Sequence, residues 1–363
     1  MAHRRIRQQA RRPEEGPPPP MPGQSSDGRP TRGVRAPTLK EIAEHAGVHV
    51  STASRVLRQP EPVDGWSPSA QRVRRAAEEL GYRRNVWAAS LRTRKTTTLG
   101  VVMTRLTDGV VATTYQGIDE AATRAGYSVL LASPPDDAAA QRDAIELLVG
   151  RRVDGLLLGG LHAPAAEFIE SLTVNVPMLT VTRHADAGLP FVGGDDRGGG
   201  RLAARHLIDR GYTDLAVIGG PAHATTATDR LTGFLDGLGE AGIELPPNRI
   251  VTSAFDVDGG IAAGRQLLDG PDRPRAIFTV SDTIAIGVLG VARDLGLQIP
   301  ADLALVGYND IPIAAQLPVP LTTVASPARR IGATAARGLL DLIEGRDVES
   351  AFLPVELMAR GTT

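Results

Sequence analysis

The sequence predicts an all-α helix-turn-helix head followed by an α/β body of two doubly wound parallel-sheet subdomains. Three observations predict it. Short amphipathic segments flank Gly47, with a third beginning at Ser67. From Leu99 onward, apolar strand-like runs alternate with segments of helical periodicity, the pattern of parallel sheets covered on both faces. That alternating stretch is about 265 residues long, more than one such sheet ordinarily holds. With 363 residues, 42% of them hydrophobic, the chain can bury a large core in more than one domain.

Residues 1–36 are rich in Arg, Pro and Gly with little apolar content, so they are expected to form a disordered basic tail. Thr38 and Glu41 form a capping box, and the first helix is expected to run to about His45 with Ile42 and Ala43 facing inward. Gly47 permits a sharp turn. A second helix follows from about Val50, with Ala53, Val56 and Leu57 inward. Ser67 caps a third, Pro68 sits in its first turn, Val73, Ala77 and Leu80 share a face, and Gly81 stops it. These helices delimit a head over residues 37–83. Residues 84–96 read as a linker with helical propensity, too short to be stable without a partner. Residues 97–363 form the body. Its strand-like runs are LGVVM, YSVLLA, VDGLLLG, VPMLTV, LAVIGG, AIFTV and LALVGY, with helices around 118–124, 144–149, 202–208 and 333–343. The C-terminal ESAFLPVELMARGTT reads as one final strand and a tail.

Composition narrows the function classes. The absence of cysteine excludes disulfides, thiolate metal sites and cysteine nucleophiles. No apolar run approaches a membrane span, and the N-terminus lacks the apolar core of a signal peptide, so a cytoplasmic protein without a membrane partner is expected. Charge is divided unevenly. Residues 1–95 hold 19 Lys and Arg against 9 Asp and Glu, a net +10, whereas the rest hold 21 against 32, a net −11. A basic head suits a chain that grips a polyanion at one end; a solvated basic tail without a partner accounts for the same numbers.

In a helix-turn-helix the first residues of the second helix meet base edges in the major groove, while hydroxyls hold phosphates. Ser51, Thr52 and Ser54 supply hydroxyls there, and Arg55 can reach a phosphate or the acceptor edge of guanine. Helix capping and a solvated face are the alternative for the same residues. Two rival functions are weighed against this. A nucleotide enzyme would use GGDDRGGGR or VIGGP, but neither has G-x-G-x-x-G spacing and no Walker lysine follows. The seven histidines lack metal spacing and no nucleophile elbow occurs, so no catalytic residue, metal or cofactor is expected. A secreted solute-binding protein would explain the body but not the basic head.

The segments TLKEIAEHAGVHVSTASRVL, SPSAQRVRRAAEELGYRRN and WAASLRTRKTTTLGVV closely resemble the start of LacI/GalR (lactose-repressor) family transcription regulators. RRVDGLLL, GGRLAARHLIDRGYTDLAVIGG, DRLTGFLDGLGEAGI, SDTIAIGVLGVARDLGLQIPADLALVGYND and PLTTV resemble later stretches, in order, to about Ile343. The resemblance implies a periplasmic-binding-protein-like body. It also implies a transcription repressor that binds a pseudopalindromic double-stranded operator as a homodimer, at the nucleoid, under control of a small-molecule effector, a sugar-like or anionic metabolite, held between the subdomains. By the same resemblance the DNA contacts are Thr38, Val50, Ser51, Thr52, Ser54 and Arg55 on the head and Asn85, Ala88 and Leu91 on a hinge helix. Leu91 takes the place of the leucine that wedges into the minor groove. His49 replaces the serine usual at the helix cap, Arg84 replaces a proline, and two residues are inserted before Trp66.

The implied effector residues are Arg105, Asp108, Thr182, Arg230, Phe255, Ser281, Asp282 and Asn309. Here the chain departs from the family pattern. Val110 and Val111 stand where two aromatic rings are common, Thr182 and Asn309 replace aspartates, and Ser281 replaces an asparagine. Fewer carboxylates and an added Arg105 point to an anionic or less hydroxylated ligand; a pocket that binds nothing is the rival. Arg183 and Asp282 fit structural ion pairs as well as ligand contacts.

Overall fold

The computed structural model describes residues 37–57, 66–82, 95–162, 164–185 and 188–363. The expected basic tail and nearly all of the expected hinge, including Asn85, Ala88 and Leu91, lie outside them. The chain divides into two compact units, residues 1–85 and 86–363.

In the first unit, α1 (Leu39–Ala46), α2 (Val50–Val56) and α3 (Pro68–Glu79) enclose Ile42, Ala53 and Val73, each fully buried. Most of the other core residues are alanines, so short helices can approach closely. The capping box at Thr38 is complete, with the Glu41 amide donating to Thr38 Oγ1 and the Thr38 amide to Glu41 Oε2 at 2.6 Å. Gly47 holds the left-handed conformation (φ 65°) that ends α1 and turns the chain. Arg72 Nε donates to the Ala46 carbonyl at 3.1 Å, fastening α3 to the end of α1. Leu80, expected in the core, is 38% exposed, because it is the residue that ends α3 and points past the last packed turn.

The second unit holds two six-stranded sheets. The first contains β1 (Thr98–Met103), β2 (Ser128–Ala132), β3 (Gly155–Gly159), β4 (Met178–Val181), β5 (Phe191–Gly194) and β11 (Ala351–Leu353), ordered β11-β5-β4-β3-β1-β2 and parallel throughout. Period-2 alternation sends Leu99, Val101, Met103 and Leu157 into the core under α4 (Gly109–Arg124) and α11 (Ala328–Ile343). It sends Val102, Leu156 and Leu158 to the opposite core, under α5 (Ala138–Gly150) and α6 (Ala166–Glu170). The second sheet contains β6 (Leu215–Gly219), β7 (Ile250–Thr252), β8 (Ala276–Thr279), β9 (Ala304–Asn309), β10 (Thr322–Ala325) and β12 (Glu356–Met358), ordered β12-β10-β9-β8-β6-β7. Only β12 is antiparallel to its neighbour. Its helices are α7 (Asp196–Asp209), α8 (Thr225–Glu240), α9 (Val257–Leu268) and α10 (Asp282–Asp294). The glycine cluster before Leu202 serves helix packing: a Cβ on Gly200 would lie 2.1 Å from the Arg230 carbonyl oxygen, and one on Gly233 1.9 Å from that of Arg197.

The C-terminus corrects the expectation of a single final strand. Pro354 and Val355 separate β11 from β12, and each strand completes a different sheet. The chain therefore passes between subdomains three times, after β5, after β10 and after β11. The passages lie side by side: Asp195 donates its amide to the Leu353 carbonyl at 2.9 Å, and a Cβ on Gly194 would touch Val355 and Ser326.

Candidate nucleic-acid interface and ligand pocket

The start of α2 is the exposed face of the head. Val50, Ser51 and Arg55 are exposed, Thr52 and Ser54 half-buried, while Ala53 and Val56 turn inward. Five serine or β-branched residues among the seven of α2 make a weak helix by propensity, so packing and the cap hold it. The cap is His49, whose Nδ1 accepts from the Ser51 amide at 3.3 Å and lies 2.7 Å from Ser51 Oγ. One side chain thus replaces the serine cap and also orients the Ser51 hydroxyl. Thr38 is already engaged by Glu41 on both its amide and its hydroxyl, which makes it first a helix cap.

In the body, a cleft between the subdomains encloses about 760 Å³ of empty space, its solvent-filled mouth included. Seven of the eight expected effector residues line it; Asp282 does not. Asp282 is fully buried at the start of α10, accepting from Thr323 Oγ1 at 2.6 Å and the Ile311 amide at 2.8 Å. Burial pushes its pKa up to about 7, against the lowering effect of those two bonds. It therefore braces β9 and β10 from within and is not partnered by an arginine. Ser281, its neighbour, caps α10 through the Thr283 amide at 3.2 Å and presents its other side to the cleft.

The charged wall is held in place before any ligand arrives. Arg230 Nε donates to Asp196 Oδ1 at 2.7 Å and Nη1 to the Val280 carbonyl at 2.9 Å, and the guanidinium lies 3.8 Å from the centre of the Tyr308 ring. Burial works against its charge, but Asp196 and Tyr308 outweigh that and hold the pKa above the ordinary arginine value. Arg105 reaches across the cleft: Nη2 donates to the Phe255 carbonyl at 2.6 Å and to Asp108 Oδ2 at 3.3 Å. Asp108 Oδ1 accepts the Val110 amide and caps α4. Arg183, 6% exposed, donates to the Gly160 carbonyl at 3.1 Å. Three arginines against Asp108 and Asp196 leave the lining with one net positive charge.

Three lining residues hold positive φ without being glycine: Arg105 (59°), Thr182 (66°) and Asn309 (109°). Such backbone costs about 1–3 kcal/mol each and persists where the surroundings enforce it, commonly at binding sites. Asn309 lines the cleft, and its Oδ1 is buried without a hydrogen-bond partner. Met103, Val110, Val111, Phe255 and Ile331 supply the apolar remainder. Sequence reasoning did not assign Thr104, Asp196, Thr226 or Ser326 to this wall. The usable signal was position, since Thr104, Asp196 and Ser326 each follow the carboxyl end of a strand within two residues.

The profile of bacterial regulatory proteins of the lacI family matches residues 38–85, and that of the periplasmic binding protein-like domain matches residues 204–363. The ribose operon repressor of Escherichia coli (strain K12) is 33% identical over 329 residues, covering 90% of this chain and 99% of that protein. The repressor CytR of the same organism is 31% identical over 331 residues, covering 90% and 96%. Among solved structures, the lac repressor dimer bound to operator and the anti-inducer ONPF aligns with a TM-score of 0.81 at 28% identity, over 90% of this chain and 99% of that one. A complex of the regulator CelR with cellobiose aligns with a TM-score of 0.67 at 32% identity, over 90% and 100%.

Proposed function

The chain belongs to the lacI family of bacterial regulatory proteins, and from that premise we propose how its two sites divide the work. It is a DNA-binding transcription repressor, not an enzyme, that acts on operator DNA as a dimer and answers to a small molecule held in its cleft. Three parts carry this out: a head over 37–83, a hinge over 84–96 and an effector-binding and dimerisation body over 97–363. The observation that carries the reading is the exposed face of α2, where Val50 and Ser51 in the first turn and Arg55 in the last stand clear of the head's core.

Val50 and Ser51 meet base edges in the major groove, Thr52 and Ser54 hold phosphates, and Arg55 reaches a guanine or a phosphate. Thr38, at the N-terminus of α1, adds a further DNA contact beside its role as a cap. Asn85, Ala88 and Leu91 act from the hinge, with Leu91 as a wedge at the central base step. A two-fold dimer imposes a pseudopalindrome on its site. The repressor works in the cytoplasm, on the nucleoid.

The effector is a small anionic metabolite with at least one hydroxyl or amine donor. The surplus arginine charge and the unpartnered Asn309 oxygen favour it, and valines in place of rings disfavour sugar stacking. Effector and operator are coupled because each prefers one of two subdomain arrangements. Selection of random duplexes by the full chain, at a stated salt concentration, tests the reading. A two-fold-symmetric motif is expected; retention without any motif in the presence and absence of metabolite extract overturns it. Leu91→Ala should weaken the selected site about tenfold and leave effector affinity unchanged.

A further inference from the structure

Three donors from distant parts of the chain meet where the two subdomains face each other. Asp136 follows β2 and His162 follows β3, both in the first subdomain, while His223 lies between β6 and α8 in the second. One donor atom from each lies within 4.8 Å of the other two. His162 Nε2 is 2.8 Å from Asp136 Oδ1, and the two imidazole rings stack with centroids 4.0 Å apart and planes at 25°. His223 Nε2 is 3.6 Å from Asp136 Oδ2, too long for a hydrogen bond, and it is buried with no hydrogen-bond partner. A buried ring nitrogen without a partner carries a desolvation cost that a Lewis acid would remove.

We infer that Asp136, His162 and His223 bind a divalent transition metal of the zinc class and that the ion ties the two subdomains together across the cleft. Tetrahedral zinc with bonds near 2.1 Å sets its donors about 3.4 Å apart. His162 Nε2 lies 2.8 Å from Asp136 Oδ1 and His223 Nε2 3.6 Å from Oδ2, so a small turn of the carboxylate and of one ring brings the three donors to that spacing. Two imidazoles and one carboxylate suit zinc, nickel or cobalt, whereas magnesium and calcium call for oxygen donors. Three protein ligands leave a fourth position open. Arg183 Nη1 stands 3.7 Å from Asp136 Oδ1, so its charge opposes the ion and makes the site weaker than a closed structural zinc site. Arg183 also lines the effector cleft. Metal on Asp136 would release that guanidinium toward an anionic effector, a consequence that rests on the reading of the cleft given above; the metal site does not.

The full-length protein, stripped with a chelator, is titrated with ZnCl2 by calorimetry and with CoCl2 by visible absorption. One ion per chain is expected, and His162→Ala and His223→Ala should each lower the affinity at least tenfold while His45→Ala leaves it unchanged. Equal affinity in wild type and His223→Ala overturns the inference. So does loss in His162→Ala and Asp136→Asn with none in His223→Ala, because the site would then lie on one subdomain only. Melting curves of the metal-free variants establish that they fold, and His223→Gln replaces any alanine variant that does not. Operator binding measured in chelator reports on the repressor reading separately.

Discussion

The start of α2 and the wall of the cleft are both recognition surfaces, yet they handle charge in opposite ways. On the head, the ion pairs stay in water, as in the Lys40–Glu44 pair, whose side chains are 78% and 66% exposed at 3.8 Å. Such pairs contribute little to stability. In the cleft, Arg230 and Asp196 are each 7% exposed and joined at 2.7 Å. A polyanion brings enough field of its own to recruit solvated arginines, and released counterions drive the association. A small ligand has no such field, so its site must hold its charges desolvated and oriented in advance, each compensated by a neighbour.

The sharpest break of this contrast is Arg230→Ala. It should leave Asp196 buried without its partner and destabilise the body by about 3 to 5 kcal/mol in denaturant unfolding; a loss below about 1 kcal/mol would mean that the cleft charges are solvated like those of the head. Next comes Asp282, whose folded pKa of about 7 lies above its ordinary 3.8. The folded state then binds more protons between those values, so this group's contribution is full below about pH 4 and is lost as pH rises through 7. The difference is on the order of a few kcal/mol, and Asp282→Asn should flatten the body's stability between pH 4 and 8.

On the head, Arg55→Ala should cost roughly 1 to 3 kcal/mol at the selected operator and much less on random duplex. An equal loss on both would make Arg55 a phosphate contact. Smallest is His49→Ala, expected to lower the head's stability by about 1 kcal/mol through loss of the α2 cap, with His49→Ser restoring most of it. Melting of the head followed by circular dichroism checks this pair.

The head was almost entirely legible because its signals are local. Thr38 with Glu41, Gly47, and Ser67 with Pro68 each act within one turn of the residues they organise. The long strands were legible too, but helix starts were not: α4, α5 and α7 begin well before their apolar periodicity, at Asp108, Asp137 and Asp195, whose side chains cap them. β5, β7, β10, β11 and β12 are three or four residues long, too short to show a period, and lack the flanking apolar run that revealed the equally short β4 and β8. In the cleft, similarity indicated Arg105, Arg230 and Asn309, while Asp282, read as either a ligand contact or a structural group, lies behind the wall because a carboxylate near a strand's end can point into the protein as easily as into the pocket.

The helices of the head, the longer strands of the body with their order, and the solvent face of α2 could be read from the chain alone, since each depends on residues within a few positions of one another, and the family from segments matched in order along it. Only the tertiary structure decided that Arg105 would cross to the Phe255 carbonyl, that Asn309 Oδ1 would be left without a partner, and that His162 would stack on His223. Those contacts arise from the chain's three passages between two sheets, which bring together residues whose separation in sequence carries no information about their distance in space.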